Sequence, residues 1–203
     1  MGQIKSALEL ALERTKDMRV DEATLEANAL RQEGKKAIGR FFEDPKTIDL
    51  VKTIEACARE KRDHLRGGMH EVVSAQIQLP TNEAALAKIP AIAAAYAALA
   101  LTAPAKGADK RVAGMVQQLE GFLRKYLEDM KNVDQVIRKQ WAPKLREKER
   151  AMAARLGPDF RLDPMSDPEF AAFYKQNVGA AREQYQTALD AARSELAGLI
   201  GLA

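Results

Sequence analysis

The side chains best suited to chemistry in this 203-residue chain are two histidines, His64 and His70, flanked by Asp63 and Glu71. Together they offer a metal-ligand set or an acid–base pair, provided they converge. A separation of six residues is neither the three nor the four that sets two ligands side by side on a helix, unless Gly67 and Gly68 bend the chain there. A di-iron carboxylate bundle needs Glu-x-x-His on two helices, whereas Glu60 stands four residues before His64 and no second copy follows. The single cysteine, Cys57, has Arg59, Lys61 and Arg62 nearby, a setting that favours a thiolate. It nevertheless falls at the edge of an apolar stripe, which fits a small core residue. Gly67-Gly68 lacks the lysine and hydroxyl residue of a phosphate loop. The expectation is a non-enzyme with no catalytic residue, no metal ligand and no cofactor.

The strongest binding feature is a run of six cations and two anions around the only tryptophan, residues 138–150. Arg138, Lys139, Trp141, Lys144, Arg146, Lys148 and Arg150 are the expected partner-binding residues. Phosphates with a base stacked on Trp141 would suit them, as would an acidic partner helix. The plainer alternative is a solvated helix flank in which Glu147 and Glu149 pair with neighbours and Trp141 continues the core.

The elements that must position these residues are helices. Ile4, Leu8, Ala11, Thr15 and Met18 share one helical face, and Asp21 offers a cap for a second helix burying Leu25, Ala29, Leu30, Ile38 and Phe41 or Phe42. Gly34 and Gly39 within it point to close packing or a fraying end. Asp44-Pro45 stops this helix and is placed to cap the next, whose stripe runs from Ile48 through Ile54 and Ala58 to Leu65. Val73 to Leu79 alternates like a strand, but no second strand is present to pair with it, and helix is favoured up to Pro80.

Residues 67–107 carry only four charges, Glu71, Glu83, Lys88 and Lys106, in a chain that is 30% charged. Thr81-Asn82-Glu83 offers a cap for an alanine-rich helix with Pro90 in its middle or dividing off a short first turn. Ala91, Ala94, Ala95 and Ala98 are the expected self-association residues, because small side chains let helix axes approach closely. The alternative is an internal helix enclosed by its neighbours. Residues 69–101 are expected to be the most buried part of the chain or of its oligomer. A membrane span is not expected, since Ile89 to Ala103 falls short of the roughly 20 apolar residues a crossing requires.

A stripe from Val112 through Val136, Trp141 and Met152 to Leu156 marks one long helix, with a kink expected between Lys139 and Pro143. Either a capping box of Ser166 and Glu169 or Asp167 before Pro168 starts the last helix, which lies antiparallel to the long one. Phe160, Leu162 and Met165 are placed to tuck over the end of the pair. Residues 109–155 hold 12 cations and 7 anions, and residues 156–203 hold 4 and 7, an imbalance that suits contact between these two helices.

The expected architecture is thus all-α, an elongated helical bundle with a long C-terminal antiparallel, coiled-coil-like hairpin. Residues 1–103 form its N-terminal helical region and residues 109–201 the hairpin, either packed as one domain or separate. The start of the chain shows no apolar signal core, and one cysteine forms no internal disulfide, so a cytoplasmic location is expected. The leading expectation of function is a non-enzymatic interaction or scaffold protein that meets a protein partner or a second copy of itself. A nucleic-acid-associated protein using residues 138–150 is the alternative, and an enzyme with a site between the helical halves the third.

Overall fold

The structure, a computed structural model, describes residues 22–202. Six α-helices and no strand occur among them, so the chain is all-helical. The predicted stripe from Ile4 to Met18 and the cap at Asp21 lie outside the described residues. Contacts divide the chain into two compact units, Met1–Val72 and Val73–Ala203. The division falls inside a helix, and the linker at Ala103–Gly107 is internal to the second unit.

The first unit contains α1 (Glu22–Glu43), α2 (Leu50–Ala56) and the start of α3 (Arg62–Gln76). Helix α1 stops ahead of Asp44-Pro45, but Asp44 does not cap α2. Residues 44–47 close a turn in which Thr47 N–H donates to the Asp44 carbonyl at 3.1 Å and Lys46 N–H to its carboxylate at 3.0 Å. The extended backbone an N-cap needs arises at Asp49, whose carboxylate accepts from Lys52 N–H at 3.1 Å. The stripe from Ile48 to Leu65 is likewise two helices. Cys57 ends α2 in an extended conformation, and a 3₁₀ turn at Arg59–Lys61 leads into α3. Arg62 secures the join by donating to the carbonyls of Cys57 at 3.0 Å and Glu55 at 2.7 Å, serving acceptors left open where α2 ends.

Gly67 and Gly68 do not break the chain; they lie within α3. A Cβ on Gly34 of α1 would collide with the Leu65 carbonyl oxygen, and one on Gly68 with the Arg31 carbonyl oxygen. The two helices therefore cross with backbone against backbone, each supplying one glycine. Ion pairs flank the crossing, Lys35–Glu71 at 2.5 Å and Lys61–Glu26 at 2.5 Å. Gly39 and Gly67 meet nothing within 4 Å, so of the two α1 glycines only Gly34 is there for packing.

In the second unit α3 ends at Gln76, and the remainder of the alternating segment is neither helix nor strand. Asn82 accepts from Ala85 N–H at 3.2 Å and caps a 3₁₀ turn, Glu83–Lys88, which passes into α4 (Ile89–Leu101) with Pro90 in its first turn. Gly107 at φ 73° reverses the chain into α5 (Ala108–Leu156), which continues through Pro143 for 49 residues, roughly 70 Å at 1.5 Å per residue. Gly157 at φ 110° ends it. Helix α6 (Pro168–Leu199) starts at Asp167, whose carboxylate accepts from Phe170 N–H at 2.9 Å. That is the second of the two predicted starts; Ser166 instead donates to the Asp163 carbonyl.

Contacts between α5 and α6 run in opposite order along the two helices: Lys148 with Asp167, Trp141 with Phe170, Asp134 with Tyr174, Asp129 with Tyr185. Helix α4 packs on α5, and Ala95, Tyr96 and Leu99 are wholly enclosed, as are Leu189, Leu196 and Ile200. Burial pushes the Tyr96 phenol far above its ordinary pKa, offset in part by a hydrogen bond with Ser74. Leu119 and Leu123 of the predicted α5 stripe are buried, whereas Val136, Met152 and Leu156 are exposed. Met165 is also exposed, while Phe160 and Leu162 are partly buried.

The helix crossing gives a direct test. Gly34→Ala or Gly68→Ala forces two backbones apart, and each should destabilise the fold by about 1–3 kcal/mol. Gly39→Ala and Gly67→Ala should leave stability unchanged or raise it by up to ~1 kcal/mol through helix propensity. Urea unfolding of the four variants separates the two outcomes.

Candidate functional site

The residues of the basic run point in two directions from α5. Arg138 donates to the Asp134 carboxylate at 2.9 and 3.0 Å and lies 5.9 Å from the Tyr174 ring centre. Lys144 reaches Glu169 at 2.8 Å while its ammonium sits 4.6 Å from the centre of the Trp141 ring. Lys148 bridges Asp167 at 2.5 Å and Glu169 at 2.9 Å. Trp141 is half-buried against Phe170 and Phe173, with ring centres 5.7 and 5.5 Å away. These four residues turn toward α6 and form the contact by which it lies on α5. Lys139, Arg146 and Arg150 are exposed, and no acidic partner meets them among the described residues.

The carboxylates along this contact are tuned by what they hold. Hydrogen bonds from Lys148 and from Phe170 N–H keep the Asp167 carboxyl below its usual range, and Lys144 and Lys148 do the same for Glu169. Tyr185 donates to Asp129, which Lys125 also meets at 3.1 Å, and Asp129 is lowered for those reasons in that order. Burial and the bond to Asp129 push the Tyr185 phenol up to about 12. The arrangement holds protons at fixed places in the fold.

The four alanines singled out in sequence are divided by the packing of α4. Ala95 and Ala98 are buried, Ala91 is intermediate, and Ala94 is exposed. Ala94 joins Pro90, Ala97 and Leu101 in an exposed line along α4, with Leu101 64% exposed. Between this face and Ala113 and Gln117 of α5 runs an open groove of about 440 Å³, whose only charged lining residue is Glu120. Glu120 is itself bound to Arg124 at 2.7 Å.

A larger groove, about 880 Å³, lies between the segment Leu79–Leu86, the middle of α5 and the first half of α6. Leu86, Tyr126, Leu127, Met130 and Val178 give it an apolar lining, and Lys131, Arg182, Glu83 and Glu128 bring charges of both signs. Sequence reasoning missed it, because its walls come from three segments and carry no motif. Its volume falls within the range of small-molecule sites, but no histidine, cysteine or serine lines it.

His64 and His70 lie on one helix at the non-facing spacing, His70 partly buried and its pKa lowered chiefly by that burial. No three His, Cys, Asp or Glu residues come together in a geometry for a metal among the described residues. Cys57 is only partly buried at the end of α2. Glu83–Leu101 is the one described segment long and apolar enough to cross a membrane, and 44% of its most apolar stretch is buried inside the structure.

The tuned carboxylates predict a pH response. A lowered folded-state pKa adds stability that is present above about pH 4 and is lost as acid protonates the folded carboxyl. A raised one, as at Tyr185, adds stability that is present below about pH 10 and is lost as pH rises toward 12. Asp167→Asn should therefore lower the thermal midpoint at pH 7 by on the order of 2–4 °C, with the difference from the unmodified chain shrinking below pH 4. Tyr185→Phe should flatten the loss of stability between pH 10 and 12. Circular dichroism melts across pH check both.

No curated protein and no solved structure matches the chain. One family does, over residues 51–198, from the first turn of α2 to the last turn of α6. That match takes in both helices of the α5–α6 contact, the enclosed α4 and well over half of the sequence, so the chain belongs to DUF6657, a family of unknown function.

Proposed function

We propose that the chain is a non-enzymatic helical interaction or scaffold protein of the cytoplasm, and that it associates with a second copy of itself through α4. The observation that carries this reading is the exposed line Pro90, Ala94, Ala97 and Leu101, uncharged in a chain that is 30% charged. Such a face meets its own copy without opposing like charges, and its small side chains let two helices come close. The sequence-derived surface is narrowed accordingly to Ala94 and its neighbours, because Ala95 and Ala98 are already used inside the fold.

In this reading α5 and α6 form a long antiparallel, coiled-coil-like hairpin that presents helix faces to partners. Support comes from the opposed order of their contacts and from the three acidic anchors spaced along them, Asp129, Asp134 and Asp167. An enzymatic reading would use the larger groove, and it ranks second because that groove lacks a nucleophile paired with a base. The nucleic-acid reading loses its stacking group, since Trp141 is committed to Phe170 and Phe173.

Light scattering after size-exclusion chromatography is the decisive measurement. The unmodified chain should elute as a dimer or larger assembly, and Ala94→Glu with Ala97→Glu should convert it to a monomer of unchanged helicity. Ala95→Glu should instead unfold the second unit, because an unpaired carboxylate in a closed core costs on the order of 4 kcal/mol or more. A monomeric unmodified chain at micromolar concentration would remove self-association from the proposal.

A further inference from the structure

We infer that the outward face of α5 between Val136 and Arg150 docks an acidic helix of a partner protein, with Lys139, Arg146 and Arg150 as its contacts. The inference rests on the reading of the chain as an interaction protein and adds a surface distinct from that on α4. At 3.6 residues per turn, positions 136, 139, 143, 146 and 150 fall on one side of the helix. Trp141, Leu145 and Lys148 fall on the other, which faces α6. The six cations of the run divide along the same line. Arg138, Lys144 and Lys148 neutralise Asp134, Asp167 and Glu169, so the fold accounts for them. Lys139, Arg146 and Arg150 are exposed without an acidic partner among the described residues; of the two anions of the run, Glu147 is exposed and Glu149 accepts from Leu162 N–H at 3.2 Å. Val136, 63% exposed, precedes them on this side, and Pro143 sits between Lys139 and Arg146.

The chemistry of this face selects its occupant. Three cations spaced seven and four residues apart complement carboxylates at the same spacing on a helix laid alongside, with small apolar residues against Val136 and Pro143. Pro143 has no N–H, so the Lys139 carbonyl loses its helical donor. Three phosphate contacts would give a salt dependence with a slope near 3, below that of proteins making about 6–10 such contacts. A polypeptide is the better fit.

The probe is a fluorescein-labelled, alanine-based helical peptide with glutamates at positions i, i+7 and i+11 and a second with the antiparallel order i, i+4 and i+11. A control peptide of the same composition scatters the glutamates around the helix. Anisotropy titration with the full chain should show at least one patterned peptide binding about tenfold or more tightly than the control. Lys139→Glu with Arg146→Glu and Arg150→Glu should abolish that preference, Arg146→Glu alone should weaken it severalfold, and Lys144→Gln should leave it intact. Equal binding of control and patterned peptides, or retained preference in the triple variant, would overturn the inference. So would tighter binding of a single-stranded oligonucleotide than of either patterned peptide. Light scattering on the same samples keeps the two proposals apart, since an intact dimer with no peptide preference sinks only this one.

Discussion

Enclosing a helix that has almost no side-chain bulk is the constraint on which the second unit depends. Helix α4 is mostly alanine, and each alanine removes little apolar area from water, so area alone stabilises its burial weakly. What its small side chains permit is close approach, and the larger groups come from its neighbours. Val112, Val116, Leu119 and Leu123 of α5 and Leu189, Leu196 and Ile200 near the chain's end are all buried, while Tyr96 and Leu99 supply most of the bulk on α4 itself. The polar end of Tyr96 is met by Ser74, which limits the cost of taking a phenol out of water. Arg193 of α6 donates to the Ile77 carbonyl just beyond α3, tying the segment before α4 to the last helix.

The same principle acts in the first unit with glycine in place of alanine. Two glycines in helix interiors lower helix propensity by about 1 kcal/mol each, and at Gly34 and Gly68 that loss accompanies a crossing too close for any Cβ. Bulk is removed at the contact and charge is arranged around it. Glu71, Lys35, Glu26 and Lys61 stand outside the crossing as paired ions, where exposed pairs add orientation more than stability.

Electrostatics along α5 and α6 serve the fold before they serve a partner. Along this contact Asp129, Asp134 and Asp167 each find a cation, the first two a phenol as well, and Asp167 combines two roles, capping α6 and binding Lys148. Within residues 138–150 the cations that the fold does not use, Lys139, Arg146 and Arg150, then share one side of α5. The uncharged line on α4 arises in the same way, as what is left over when the opposite side of an alanine helix has been enclosed.

Helical class, the breaks at Pro45, Pro80, Gly107 and Gly157 and the long α5 were legible in the sequence, because hydrophobic period, proline and glycine act over a few residues; the charge-poor stretch is buried only in part, with Pro90, Ala94, Ala97 and Leu101 exposed. Tertiary structure decided the rest. Whether Gly34 frays or packs depends on what crosses it, and Asp49 prevails over Asp44 as a cap because of the turn between them. The nearby cations Arg146 and Lys148, or Arg138 and Lys139, look alike as a charge pattern until α6 claims one side of the helix. Ala94 and Ala95 differ by one position and about 100° of rotation, and only the neighbour packed against α4 determines which is core and which is surface.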